Sequence, residues 1–279
     1  MNPTHEVRIT LPRGCDSERL AVVLRQAPMH VDLLFDPFGA RWSEVRAGAI
    51  AAEEAGFDGV WLYDHLAGSV HRESHVLECW TTLTAIAAVT SRIAIGSMVL
   101  NVANRDAGTL AVMAATLQEV SGGRLLLGIG AGGGRDLPYA HEQYALGREV
   151  PGDRQRRANV ESAIATLREV WTGTVGGVSG FLRPDPPPPI IVGGFGPKMA
   201  ELAGRVGDGI NAPGDARLID VARAAHERAD RDPNQFIVTA SGRGDRRERD
   251  RLAEVGVDRV VVLVRPPYVN AVDALAATV

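Results

Sequence analysis

The sequence predicts an α/β fold of eight strand–helix units, a (β/α)8 TIM barrel, with an open doubly wound sheet as the structural alternative. Three observations carry that reading. Eight short apolar runs recur along the chain, at 30–36, 58–63, 92–100, 124–130, 189–194, 208–212, 235–240 and 258–264. Most are continuously apolar, as strands buried on both faces must be. Helical patterns fill the intervals, near 43–56, 78–90, 107–121, 154–172, 197–206, 215–230, 245–255 and 269–278. Such alternation implies parallel strands joined by helical crossovers. Residues 29–279 also match the length of about 250 residues of a bare barrel, so few insertions are expected at its mouth.

Taken in order, "HVDLLFD" follows Met29 directly, which leaves residues 1–28 as an N-terminal extension ahead of a barrel domain at 29–279. "DGVWLY" leads into Tyr63-Asp64-His65, and "RIAIGSMVL" ends just before Asn101. "RLLLGIG" runs on into more glycine. "PIIVGG" is preceded by the glycine-rich 174–183 and the proline run 184–189, two segments expected to cover the mouth. The proline run is expected to be a stiff polyproline II lead into the strand. "DGINA" is the shortest run, "QFIVTA" is regular, and "DRVVVLV" ends at Arg265.

Composition removes several function classes. The 279 residues are 45% hydrophobic and 23% charged with a formal net charge of -4, so no global basic field invites nucleic acid. The arginines at 246–251 alternate with acids and read as a solvated helix face. Two cysteines, Cys15 and Cys79, make neither a CxxC nor a metal-ligand spacing, which fits a reducing, cytoplasmic setting. No apolar stretch has the length of a signal-peptide core or a membrane span.

In a barrel, chemistry collects at the C-terminal ends of the strands. His65, after the second strand, is the best proton-handling candidate there, because an imidazole can give or take a proton near neutrality; a structural histidine held by Asp64 is the equal alternative. "GGFGPK" (193–198) leaves a strand and enters a helix at Pro197. Its free N–H groups suit a phosphate, although a plain tight turn also favours glycine. "GIGAGGG" is not a dinucleotide fingerprint, since Arg135-Asp136-Leu137-Pro138 stands where a helix should open. His71 and His75 are four apart but lie in a loop, and read as solvated rather than metal-binding. Arg265 stands where many barrels bind phosphate and is equally a surface arginine.

"AAEEAGFDGVWLYDHL" (51–66), "CWTTLTAIAAVTSRIAIGSMVL" (79–100), "LAVMAATLQEVSGGRLLLGIGAG" (110–132) and "PPPPIIVGGFGPKMAELAGRVGDG" (186–209) together resemble the luciferase-like monooxygenase superfamily. The last segment looks closer to its deazaflavin branch. The resemblance implies a TIM barrel that binds coenzyme F420, or alternatively FMN. It implies catalytic roles for His65 and Asp64 and a non-prolyl cis peptide at Met98–Val99, after Ser97, behind the cofactor ring. It implies a cofactor phosphate at Gly193, Gly194, Phe195, Gly196 and Pro197, and the glycine loop adds Gly130 and Gly132 to the expected cofactor contacts. The expected activity is hydride transfer between F420 and a small organic substrate. The alternatives are an FMN-dependent monooxygenase with a separate flavin reductase and a non-catalytic flavin-binding barrel. The family implies a homodimer; the helices near 77–89 and 110–120 carry apolar residues beyond one face. Three departures stand out from the sugar-phosphate dehydrogenases of that branch. Ser69 replaces a tryptophan, Gly133 a glutamate and Asp215 a phosphate-binding lysine, which argues against glucose 6-phosphate.

Overall fold

The structure, a computed structural model, describes residues 29–278. Eight parallel strands form the barrel: β1 (His30–Phe35), β2 (Gly59–Leu62), β3 (Ala94–Ser97), β4 (Leu125–Gly130), β5 (Ile190–Gly193), β6 (Gly209–Ala212), β7 (Ile237–Gly242) and β8 (Arg259–Val264). Neighbours in sequence pair in order, β8 returns to β1, and β3 pairs with β4 through Ile95↔Leu125 and Gly96↔Leu126. Those last pairs close the ring and exclude the open sheet. The eight outer helices are α1 (Trp42–Glu54), α2 (Cys79–Val89), α3 (Ala107–Val120), α4 (Asp153–Val170), α5 (Pro197–Val206), α6 (Ala216–Arg228), α7 (Arg246–Glu254) and α8 (Tyr268–Ala276). The proposed extension, residues 1–28, lies outside the described residues.

Most of the apolar core lies between strands and helices, where side chains such as Leu33, Leu62, Ile95, Leu127 and Val260 are fully buried. A second, smaller cluster of Leu34, Trp61, Met98, Ile191 and Val261 fills the barrel interior. Volume there is matched across strands. Trp61 stands opposite Gly96 in the register, and a Cβ at Gly96 would come within 2.3 Å of the indole.

The interior also holds one polar knot near the N-terminal end. Asp32 is fully buried and accepts bidentate hydrogen bonds from Arg259 at 2.7 Å each and one from Trp61 Nε1 at 2.8 Å. A buried charge costs several kcal/mol to desolvate, and only such complete pairing offsets it.

One expectation is corrected by topology. Residues 174–189 join the end of α4 to the start of β5, so they lie at the N-terminal face and cannot cover the mouth. Gln118 near the end of α3 donates to Pro186 O, and Leu127 N donates to Pro189 O. Thr174–Val175 and Val178–Ser179 form a small hairpin, and within the proline run Asp185–Pro186 is cis. The mouth is covered instead by residues 131–152, which include the short helix Ala140–Ala145, and by the β2–α2 loop.

Asp32→Ala should leave the Arg259 guanidinium and the Trp61 N–H buried without their acceptor. The expected loss is ~3–5 kcal/mol, measured by urea unfolding; a loss below 1 kcal/mol would show that water replaces the carboxylate.

Candidate active site

The strand order brings the ends of β2, β3, β4 and β5 side by side. Met98 N donates to Leu62 O at 2.8 Å, tying the end of β3 to β2. The Met98–Val99 peptide is cis, and the chain then resumes pairing with β4 through Leu100–Asn101. The resulting bulge drives Val99 across the neighbouring strands. A Cβ at Gly130 would lie 2.5 Å from Val99 Cγ2, and one at Gly193 would lie 2.8 Å from both Val99 methyls. A Cβ at Gly128 would meet Ser97 O at 1.8 Å. Ser97, fully buried, donates its hydroxyl to Gly128 O at 2.8 Å. The glycines of β4 and β5 therefore make a seat for the bulge, a reason for their small size that needs no ligand.

Gly132 adopts φ +67°, and a Cβ there would meet the Asn101 side chain at 2.5 Å. Arg156 of α4 donates to its carbonyl at 2.6 Å, pinning the glycine loop.

At β5, Gly194 leaves no room for a side chain, since a Cβ would lie 2.3 Å from Met199 Cβ. Phe195 is 83% exposed, and Gly196 faces open space. Pro197 starts α5, and no side chain caps it. The starts of α4 and α8 likewise lack a side-chain cap, whereas α2, α3, α6 and α7 are capped by the carboxylates of Glu78, Asp106, Asp215 and Asp245. An uncapped helix N-terminus with glycine before it presents N–H groups and the positive end of the dipole to an anion. The Val99 ledge and this turn share Gly193, so together they form a cradle suited to a flat ring with a phosphate-bearing arm.

His65 and Asp64, adjacent in sequence, point to different partners. Asp64 is buried and accepts from Asn101 N at 2.9 Å, Asn104 Nδ2 at 3.0 Å and both Arg105 Nη atoms at 2.9 Å. Arg105 also reaches Glu78. Burial opposes the Arg105 charge, but hydrogen bonds and attraction from Asp64 and Glu78 outweigh it and raise its pKa. Burial likewise opposes ionisation of Glu78, but bonds from Thr81 and Trp80 and the Arg105 charge hold its carboxyl below the ordinary value. The thiol of Cys79, fully buried, is pushed up by burial and then by Asp64.

His65 is thus not held by Asp64, whose hydrogen bonds go to the β3–α3 loop. Glu142, on the short helix of the β4–α4 loop and 5% exposed, takes that place. Its Oε1 accepts from His65 Nδ1 at 3.1 Å and from Ala67 N at 3.3 Å. With Nδ1 donating, Nε2 keeps its lone pair. The carboxylate expected at Gly133 is therefore missing there but supplied from Glu142.

Rings surround His65. Phe38, Tyr139 and His71 lie with centroids 5.2, 5.0 and 6.0 Å from it, and Tyr63 at 6.2 Å. Burial, then the charge of Asp36, pushes the Tyr63 phenol up, so it stays protonated at neutral pH. The two histidines of the loop separate: His75 bonds Ala40 O and Ser74 Oγ, while His71 packs on Phe38. Arg265 is exposed and pairs with Asp36 at 3.2 Å.

Glu142, Tyr139, Phe38 and Arg105 carry no legible signal in the sequence. A helix of six residues shows no readable period, and the other three become neighbours of the site only when the barrel closes.

Residues 23–255 match the family described as luciferase-like monooxygenase. The chain belongs to that family. An F420-dependent glucose-6-phosphate dehydrogenase of Amycolatopsis mediterranei (strain U-32) is 33% identical over 172 residues, covering 58% of this chain and 50% of the relative. An F420-dependent hydroxymycolic acid dehydrogenase of Mycobacterium tuberculosis (strain ATCC 25618 / H37Rv) is 34% identical over 208 residues, covering 69% and 56%. The chain thus spans about half the length of the curated relatives it matches. Among solved structures, an F420-dependent secondary alcohol dehydrogenase in complex with an F420-acetone adduct superposes with a TM-score of 0.77 at 18% identity, covering 90% of this chain and 98% of that one. At that identity the likeness establishes the shared barrel fold.

Gly130→Ala should force Val99 off its seat. We expect a stability loss of ~1–3 kcal/mol, typical of overpacking, together with weaker flavin or deazaflavin binding by fluorescence titration. Unchanged binding in the folded variant would show that the ledge is not part of the cofactor cradle.

Proposed function

We propose that this chain is an oxidoreductase that transfers a hydride between coenzyme F420 and a small neutral alcohol or its carbonyl partner. The observation that carries the proposal is the His65–Glu142 pair, fixed at the mouth one strand away from the Val99 ledge. The curated F420-dependent relatives support the choice of carrier.

The cofactor ring would rest on Val99 above Ser97, Met98, Gly130 and Gly193. Its phosphate would meet the N-terminus of α5 at Gly194–Pro197, with Gly132 at the edge of the site. The deazaflavin, when bound, supplies a carbon that accepts or returns a hydride but activates oxygen poorly, which disfavours monooxygenation. The chain's own residues handle the proton. Glu142 holds Nδ1–H, so Nε2 of His65 can accept the substrate hydroxyl proton as the C–H hydride departs. Asp64 positions the β3–α3 loop through Arg105 and makes no contact with the imidazole.

Substrate choice departs from that of the sugar-phosphate relatives. Asp215, where those enzymes carry a phosphate-binding lysine, caps α6 by accepting from Arg217 N at 3.0 Å. Near His65, Arg105 is committed to carboxylates, and aromatic rings line the approach. A neutral, partly apolar substrate fits this lining better than a phosphorylated sugar.

The working form is proposed as a homodimer joined through α2 and α3. Helix α2 bears no charged residue and α3 only Glu119, while Val112 and Val120 stand 42% and 52% exposed. A largely uncharged two-helix face of this kind is an interaction surface. Among the described residues no helix is long and apolar enough to cross a membrane. We place the enzyme in the cytoplasm, consistent with the buried free thiol of Cys79.

Three kinds of experiment test these readings. Titration with F420 and with FMN should quench ring fluorescence with F420 first. His65→Ala should keep F420 affinity within about tenfold, or ~1.4 kcal/mol, and lower turnover by ~10²–10⁴. Glu142→Gln should fall between native and His65→Ala, because the imidazole loses its charged acceptor. Normal turnover in His65→Ala would end the catalytic assignment. For the dimer, Val112→Arg should convert a native two-copy species to one copy in sedimentation at micromolar concentration; a native protein that sediments as one copy would refute it.

A further inference from the structure

The Trp-to-Ser departure at Ser69 leaves open what stands over His65 on the β2–α2 loop. The structure fills that place with another histidine. Residues Gly68–His71 form one turn of 3-10 helix ended by Arg72 in the left-handed region at φ +62°. The turn is held from both sides. Arg72 N donates to Ser69 O at 3.1 Å and Glu73 N to Gly68 O at 3.0 Å. A Cβ at Gly68 would meet the backbone of Glu73 and His75 at 2.6 Å, so only glycine lets the loop fold this tightly. Gly39 N donates to His75 O, Leu77 N to Pro37 O, and Phe38 bridges Val76, which clamps the loop to the β1–α1 connection.

The consequence is a fixed but exposed imidazole. His71 packs on Phe38 with ring centroids 4.2 Å apart, and it lies 6.0 Å from His65 and 6.2 Å from Tyr139. The side chain of His65 is only 17% exposed, and its Nδ1 is committed to Glu142, itself buried. A proton taken up at Nε2 has a short way out through a neighbour that faces water and can both accept and donate a proton. Tyr63 is held protonated. Glu142 is bound to Nδ1, the opposite edge of the ring, and is buried. Tyr139 has a phenol, which ordinarily ionises far above neutral pH. Asp36 is engaged by Arg265 and Phe38 N. His71 is the group in this cluster that meets both requirements.

We propose that His71 is the proton-exchange residue of the site, acting through His65 rather than on the substrate. This rests on the reaction proposed above. In the oxidative direction the substrate C–H bond breaks, and its electron pair leaves with the hydrogen as hydride to the deazaflavin. The O–H bond breaks, its proton goes to His65 Nε2, and the carbon–oxygen double bond forms. His65 is then restored when its proton passes to His71, directly or over one bridging water, and from His71 to solvent. Reduction of a carbonyl runs the same path inward. Phe38 sets the angle of the second imidazole, and Gly68 and Gly39 are present so that the loop can carry it there.

The test uses the full-length chain with coenzyme F420 as carrier and propan-2-ol and acetone as probe substrates, followed by deazaflavin absorbance. His71→Phe keeps a ring against Phe38 but carries no proton. It should bind F420 as the native protein does and lose about ten- to a hundredfold in kcat, the lower part of the range for a lost proton-transfer group. His71→Ala opens a hole in the same place; its kcat should fall similarly and recover severalfold as free imidazole is added, with no such rescue in His71→Phe. Loss of activity in native protein would sink the underlying hydride-transfer reading itself. An active native enzyme whose His71→Phe variant turns over within twofold of it, or a His71→Ala variant that imidazole does not rescue, would overturn the proton-exchange role alone.

Discussion

The mouth of this barrel is organised around the carboxylate of Asp64. It is buried at the end of β2, and it gathers a backbone N–H of the β3 extension, the amide of Asn104 and both arms of Arg105. Arg105 in turn bonds Glu78, the cap of α2. One side chain thus fastens two consecutive βα connections to each other. The arrangement is stable as a network because every charge in it has an opposite partner, and loss of Arg105 would leave the Asp64 carboxylate buried without one. The Met98–Val99 bulge and the loop that carries His65 are both held in place by that network.

Packing on the far side of the bulge is governed by absence of side chains. Gly128, Gly130 and Gly193 lie under Ser97 and Val99, and a Cβ on any of them would overlap the bulge. Gly193 is followed directly by the glycine turn at the start of α5, where no side chain caps the helix. Room for the bulge comes from the small size of the residues on β4 and β5.

Two adjacent residues take partners on different loops. Asp64 faces the β3–α3 loop and serves structure; His65 faces the mouth and is gripped by Glu142 from the β4–α4 loop. Here the short helix Ala140–Ala145 swings its own carboxylate in. Gly133 carries no side chain, and the carboxylate beside His65 comes from Glu142.

The sequence by itself determined the period of the fold. Eight apolar runs with helical patterns between them match the observed strands to within a few residues, because strands buried on both faces must be apolar throughout and the crossovers must be amphipathic. The same pattern placed His65, the Met98–Val99 peptide and the turn at 193–197 at strand ends. Ring closure, and with it the side of the barrel on which each loop lies, came from the tertiary structure: residues 174–189 read as a cover for the mouth, yet their place between a helix end and a strand start puts them on the opposite face. The partners of His65 were likewise decided there. Glu142 is 77 residues from His65 in the chain, and no local periodicity encodes a contact made only when β2 and β4 have taken their places around a closed barrel.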